Sequence, residues 1–114
     1  MATRYYISLK DPEMARGSDA AFSFSAHGAP EFAAQLQEAL RGDGLFQRWK
    51  QAQSDPDAVD PGLGASDPGA TVTGEQHNLQ IDLIVVTTIP GSVFKHRLRL
   101  LAGNAWELRD VSTA

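Results

Sequence analysis

The stretch from Leu79 to Leu101 carries the pattern that most limits what this chain can become. Leu79 to Thr88 is a β-branched and aliphatic run, Pro90-Gly91 interrupts it, and Val93 to Leu101 alternates again. Proline supplies a fixed φ and glycine a positive one, so the pattern predicts a β-hairpin turning at Pro90-Gly91. Pairing Ile89 with Ser92 sets Val85 opposite His96, Leu83 opposite Leu98 and Ile81 opposite Leu100, which makes one face almost wholly apolar. The other face then pairs Asp82 with Arg99, Ile84 with Arg97 and Val86 with Lys95. A third strand from Ala105 to Val111 follows a three-residue loop, Ala102-Gly103-Asn104. That loop length places Trp106 and Leu108 on the apolar face and Glu107 opposite Arg99.

Upstream, Tyr5-Tyr6-Ile7-Ser8-Leu9 reads as a strand that stops at Asp11-Pro12. Asp11 as cap and Pro12 at the first helical position fit one helical turn over Glu13 to Arg16 before Gly17. Ala21-Phe22-Ser23-Phe24-Ser25-Ala26 alternates, with both phenylalanines on one side, and predicts a second strand. From Pro30 the period changes. Phe32, Leu36 and Leu40, with Ala33 and Ala39 beside them, form one helical stripe that Gly42 ends. Asp43 can cap a second helix carrying Leu45, Phe46, Trp49 and Ala52. Residues 54–70 hold Asp55-Pro56, Asp60-Pro61 and Asp67-Pro68 with three glycines, a turn-forming composition that predicts a long loop.

The order of these elements predicts an α+β fold: a small single domain over residues 1–114, with an antiparallel sheet whose C-terminal three-strand meander packs against two helices. A bent barrel is the alternative. The longest uninterrupted aliphatic run, Leu83 to Val86, is far too short for a membrane span, and no apolar core of a secretory signal precedes the first strand. A soluble, cytoplasmic protein is the expectation. The absence of cysteine removes disulfides, thiolate metal sites and cysteine nucleophiles.

A formal charge of −4 argues against a dedicated nucleic-acid binder. The charge is uneven, however: residues 1–78 hold 11 acids and 6 bases, and residues 79–114 hold 3 acids and 4 bases. On the predicted register Lys95, Arg97, Arg99 and Arg109 form a basic stripe on the outer sheet face, partly partnered by Asp82 and Glu107. Ile84, Val86 and Val93 lie on the same face near the turn, and adjacent exposed aliphatics on a sheet call for a cover. That cover is either the chain's own first strands or a second copy meeting it through an isologous interface rimmed by Lys and Arg.

The register also brings Asp110 opposite His96, a candidate polar pair at the edge of the core that could orient an imidazole for acid-base work. No serine or cysteine nucleophile can be assigned to it. His27, in Ser25-Ala26-His27-Gly28, precedes the helix opening at Pro30, where free N–H groups could face an anion. The glycines Gly62, Gly64 and Gly69 do not match a dinucleotide-binding turn, and no P-loop is present. Asp55, Asp57 and Asp60 lack the remaining ligands of a calcium loop, and His27, His77 and His96 have no zinc spacing. No catalytic residue, metal or cofactor is therefore assigned.

Val93-Phe94-Lys95-His96 resembles the aliphatic-aromatic-Lys-His stretch in the second Sm motif of the bacterial RNA chaperone Hfq. The resemblance implies a small bent-strand barrel whose Lys-His segment contributes to uridine binding. It covers four residues; the family's first Sm motif and Asn-Gly turn are absent, and two predicted strands precede the helices here. Three functional readings follow: a non-catalytic protein-interaction module, with a separate partner or as a homodimer; binding of RNA or another polyanion by the basic stripe; and a small enzyme using His96 and Asp110.

Overall fold

The computed structural model describes residues 2–114. Strand β1 (Thr3–Leu9) is followed by a 3-10 turn at Pro12–Met14, then helices α1 (Ala29–Arg41) and α2 (Gly44–Gln51). Two further 3-10 turns, Pro56–Ala58 and Pro61–Gly64, lead to strands β2 (Thr71–His77) and β3 (Gln80–Thr87), helix α3 (Gly91–Ala102) and strand β4 (Glu107–Thr113). The four strands form one antiparallel sheet in the order β2-β3-β1-β4. The fold is α+β. With α1 and α2 together occupying the first crossover, the element order is the split βαβ, ferredoxin-like one, a frame that hosts many unrelated functions.

Alternation builds the sheet's two faces. Tyr5, Ile7 and Leu9 on β1 and Ile81, Leu83 and Val85 on β3 are buried and point to one side. On that side lie Phe32, Leu36 and Leu40 of α1 and Phe94, Leu98 and Leu101 of α3, with the Phe94 ring stacked on Tyr5 at 4.4 Å between centroids. At β2 the close approach of α1 demands a glycine: a Cβ on Gly74 would stand 2.7 Å from the Ala29 carbonyl oxygen. The α1 stripe and the Gly42 stop form as the 3.6-residue spacing predicts. Asp43 precedes α2 as predicted, but its carboxylate accepts from the Gln47 side chain instead of capping a backbone N–H. Asp11 likewise makes no side-chain cap.

Three expectations are corrected. Val93 to Leu101 is helix, not strand, so the C-terminal meander and its Pro-Gly hairpin do not form. Pro90 is the N-cap and Gly91 the first helical residue. Val93, Phe94, Arg97, Leu98, Leu101 and Ala102 are buried, the spacing of a helical stripe, in a segment rich in the helix formers Leu, Arg and Lys. Charges at positions 95, 97 and 99 imitate a period of two while the apolar residues keep the period of a helix. The four-residue Sm-like stretch accordingly lies on α3, not on a bent strand.

Ala21 to Ala26 is not a strand either. Phe22 and Phe24 do reach the core, and Phe24 meets Phe32 edge-on at 4.9 Å. The backbone there is satisfied by the end of α3 instead of a sheet partner: the Leu101 carbonyl accepts from the N–H groups of Gly17 at 3.1 Å and Phe24 at 2.9 Å. The third correction is β2, which fills an edge where no strand was expected and joins β3 through a tight turn at Asn78 (φ 57°) and Leu79.

The Asp-Pro loop is fastened to the core at two places. Arg97, 1% exposed, donates to the Ala39 carbonyl at 3.2 Å and the Leu63 carbonyl at 2.6 Å. Its cation therefore sits at the C-terminal end of α1, where the helix dipole favours it. Asp67 accepts from Thr87 Oγ1 at 3.0 Å, from the Thr88 N–H at 2.9 Å and from the Gly69 N–H at 3.0 Å. Its own N–H donates to the Leu40 carbonyl at 2.8 Å.

Candidate functional site

The second face of the sheet carries the alternate residues of the same strands. Directly opposed pairs across β1 and β3 are Arg4 with Val86, Tyr6 with Ile84 and Ser8 with Asp82. On β2 these rows continue into Thr71, Thr73 and Glu75, and on β4 into Ser112, Asp110 and Glu107. Tyr6, Ile84 and Val86 are only half-buried. Among the described residues no helix covers them, because α1 and α3 both pack on the Ile7/Leu83 side.

One end of this face is polar and organised around Asp82. Ser8, 3% exposed, donates its hydroxyl proton to Asp82 Oδ1 at 2.7 Å, and Gln80 Nε2 donates to the same oxygen at 2.9 Å. His77 Nε2 lies 3.5 Å from Asp82 Oδ2 and 3.2 Å from Glu75. The Ser8 hydrogen bond is the largest influence on the Asp82 carboxyl and, with Gln80, His77 and Arg109, holds it below the ordinary carboxylate range against the opposing effect of desolvation. Arg109 is the extra residue of a β-bulge where β4 pairs with Tyr6 and Ile7, and its guanidinium lies 3.7 Å from Glu107. Together with Tyr6, Ser8, Glu75, Asp82 and Ile84 it lines a hollow of about 280 Å³.

This cluster has the residue types of a serine hydrolase in the wrong order. The carboxylate stands between serine and histidine, so the imidazole faces the far oxygen of Asp82 and cannot take the Ser8 proton. What the cluster does is fix charge: three carboxylates, Glu75, Asp82 and Glu107, lie in the row through Ser8, while Arg4 lies two rows of this face away, next to Val86. Among the described residues Arg4 has no carboxylate within ion-pair distance.

The residues expected on one outer face are divided by the fold. Ile84, Val86 and Arg109 are on the open face. Val93, Lys95, Arg97 and Arg99 are on α3, across the sheet, with Val93 and Arg97 buried. The basic stripe therefore does not exist as a surface, because the hairpin register that created it is replaced by a helix. The His96–Asp110 pair is corrected for the same reason. His96 packs edge-on against Trp49 at 4.6 Å, whereas Asp110 opposes Tyr6 on β4 and accepts from the Val111 N–H. Burial, then the nearby Arg99 and Arg97, lowers the His96 pKa. His27 is exposed just ahead of α1.

Sequence reasoning placed Ile84 and Val86 on a face away from the core, where they are half-buried, and missed their neighbours Tyr6 and Arg4. The signal was the alternation within β1, which puts Arg4, Tyr6 and Ser8 together opposite Tyr5, Ile7 and Leu9. Comparison of the chain with protein-family models, curated proteins and solved structures gives no match in any of the three.

Proposed function

We propose that this chain is a non-catalytic, cytoplasmic protein-interaction module that docks its partner on the open sheet face. The observation that carries this reading is the uncovered band of Tyr6, Ile84 and Val86 in the middle strands, bordered by a hydrogen-bonded polar row. Contiguous apolar residues at the centre of a face with polar residues around them are the anatomy of an interface. The dispersal of Lys95, Arg97, Arg99 and Arg109 removes the support for polyanion binding, and the separation of His96 from Asp110 removes the support for acid-base catalysis. No helix of the described residues is long and apolar enough to cross a membrane.

The test is capture from a native lysate at high salt by the tagged wild-type chain and by an Ile84→Glu variant shown to be folded. A stoichiometric protein held by the wild type and lost with the variant is the expected result. The same proteins on both baits would remove the open face from consideration.

A further inference from the structure

Resting on that reading, we infer that the occupant of the open face is a second copy of this chain, docked sheet to sheet about a two-fold axis that crosses the strands at the Tyr6–Ile84 pair. The inference comes from how charge is ordered along the strands. Arg4 lies on one side of the Tyr6–Ile84 row and the Ser8–Asp82 row lies the same two residues away on the other, about 7 Å in each direction. A two-fold axis through the middle row carries each end onto the other. Arg4 of one copy then stands over the partner's Ser8, with the partner's Asp82 and Glu107 on the strands to either side, about 4.8 Å away. The same operation is performed on both copies, so two equivalent ion pairs flank a middle row in which Tyr6 and Ile84 meet their own counterparts, while Asp110, at the β4 end of that row, also meets its own, a like-charge contact at the rim that weakens the dimer. The ion pairs and the apolar centre supply the self-complementarity that an isologous interface requires.

The other ways of adding a copy to the sheet are opposed by features already described. The helical side of the sheet is filled by α1 and α3. The β4 edge is bent by the bulge at Arg109, and the β2 edge ends in the charged Glu75 and His77, both of which oppose strand-to-strand addition. Four strands about 4.8 Å apart and seven residues long at about 3.3 Å each give a face of roughly 440 Å² in plan. Two such faces together cover roughly 880 Å², below the roughly 1,200 Å² at which standard specific interfaces begin, so the dimer is a weak, reversible one.

Sedimentation velocity on the full chain at low salt, from about 5 to 500 µM, tests this directly. The wild type is expected to dimerise reversibly. Arg4→Glu and Asp82→Lys, each confirmed folded by circular dichroism, should each weaken dimerisation at least about tenfold. Mixed in equal amounts they should form a one-to-one heterodimer, because each chain then carries the charge its partner lacks at both contacts. If Asp82→Lys does not fold, Glu107→Lys, on the other side of Ser8, replaces it in the same experiment.

A wild type that stays monomeric throughout, or single variants that dimerise as well as the wild type, would overturn the inference. Failure of the mixture to recover dimerisation would overturn the two-fold arrangement. These outcomes are distinct from failure of the interaction-face reading. A monomeric wild type that still loses a captured protein through Ile84→Glu rejects self-association alone, whereas a dimer that Ile84→Glu leaves intact rejects the face as well.

Discussion

Ser8 and Asp82 are paired twice, as opposed residues of β1 and β3 and through a hydroxyl-to-carboxylate hydrogen bond of 2.7 Å. The bond lowers the Asp82 pKa in the folded chain, so its contribution is present above the ordinary carboxylate range and is lost as pH falls through the folded-state value. Ser8→Ala should cost about 1 kcal/mol at neutral pH and progressively less below about pH 4. Urea midpoints of both proteins at pH 7 and in acid check this; a gap that does not close in acid would assign the effect to packing.

Arg97 joins the end of α1 to the Asp-Pro loop through two carbonyl oxygens. Arg97→Met keeps the apolar stem but leaves both acceptors without their donor, and should destabilise the fold by about 2–4 kcal/mol. Hydrogen exchange adds a spatial check: the amides of Gly62 to Ala65 should speed up more than those of β3.

Asp67 anchors the far end of the same loop, and the Thr88 N–H is the first cause of its lowered pKa. Asp67→Asn replaces one of the accepting oxygens by a donor and should loosen the loop, with a loss of about 1–2 kcal/mol at neutral pH that shrinks in acid. Limited proteolysis is the direct measure. Cleavage within residues 54–70 should become several-fold faster, and an unchanged rate would mean that Arg97 alone holds the loop.

His96 favours its neutral form in the folded chain, chiefly through burial. The unfolded chain therefore takes up the proton first as pH falls, and stability should rise with pH through the window just below about 6.5. NMR titration of the His96 ring should give a midpoint under that value, and His96→Phe should flatten the slope of the urea midpoint across the same window. A slope that survives the substitution would trace to another group.

Local periodicity made much of this fold readable. The stripe of Phe32, Leu36 and Leu40 specified α1, and the alternation of Tyr5 to Leu9 and Ile81 to Val85 specified two strands. It failed where two periods coincide, as on α3, and where burial is too thin to show, as on β2, whose one buried side chain is Val72. The candidate site was half visible for a different reason. Ile84 and Val86 mark an aliphatic outer face by themselves, but their neighbours Tyr6 and Arg4 come from a strand 78 and 82 residues earlier, and no local rule selects that pairing.

The central position of β1 also has a kinetic side. Tyr5 pairs with Val85 and with Val111, and even the shortest-range contact of the two ladders of the strand nearest the N-terminus, Leu9 with Ile81, joins residues 72 positions apart. The conformational entropy of closing such loops is lost before the ladder returns anything, and chains dominated by distant pairings fold slowly for their size. Until β3 and β4 arrive, β1 has two unpaired edges, and during that interval its aromatic and aliphatic residues are open to association with other chains.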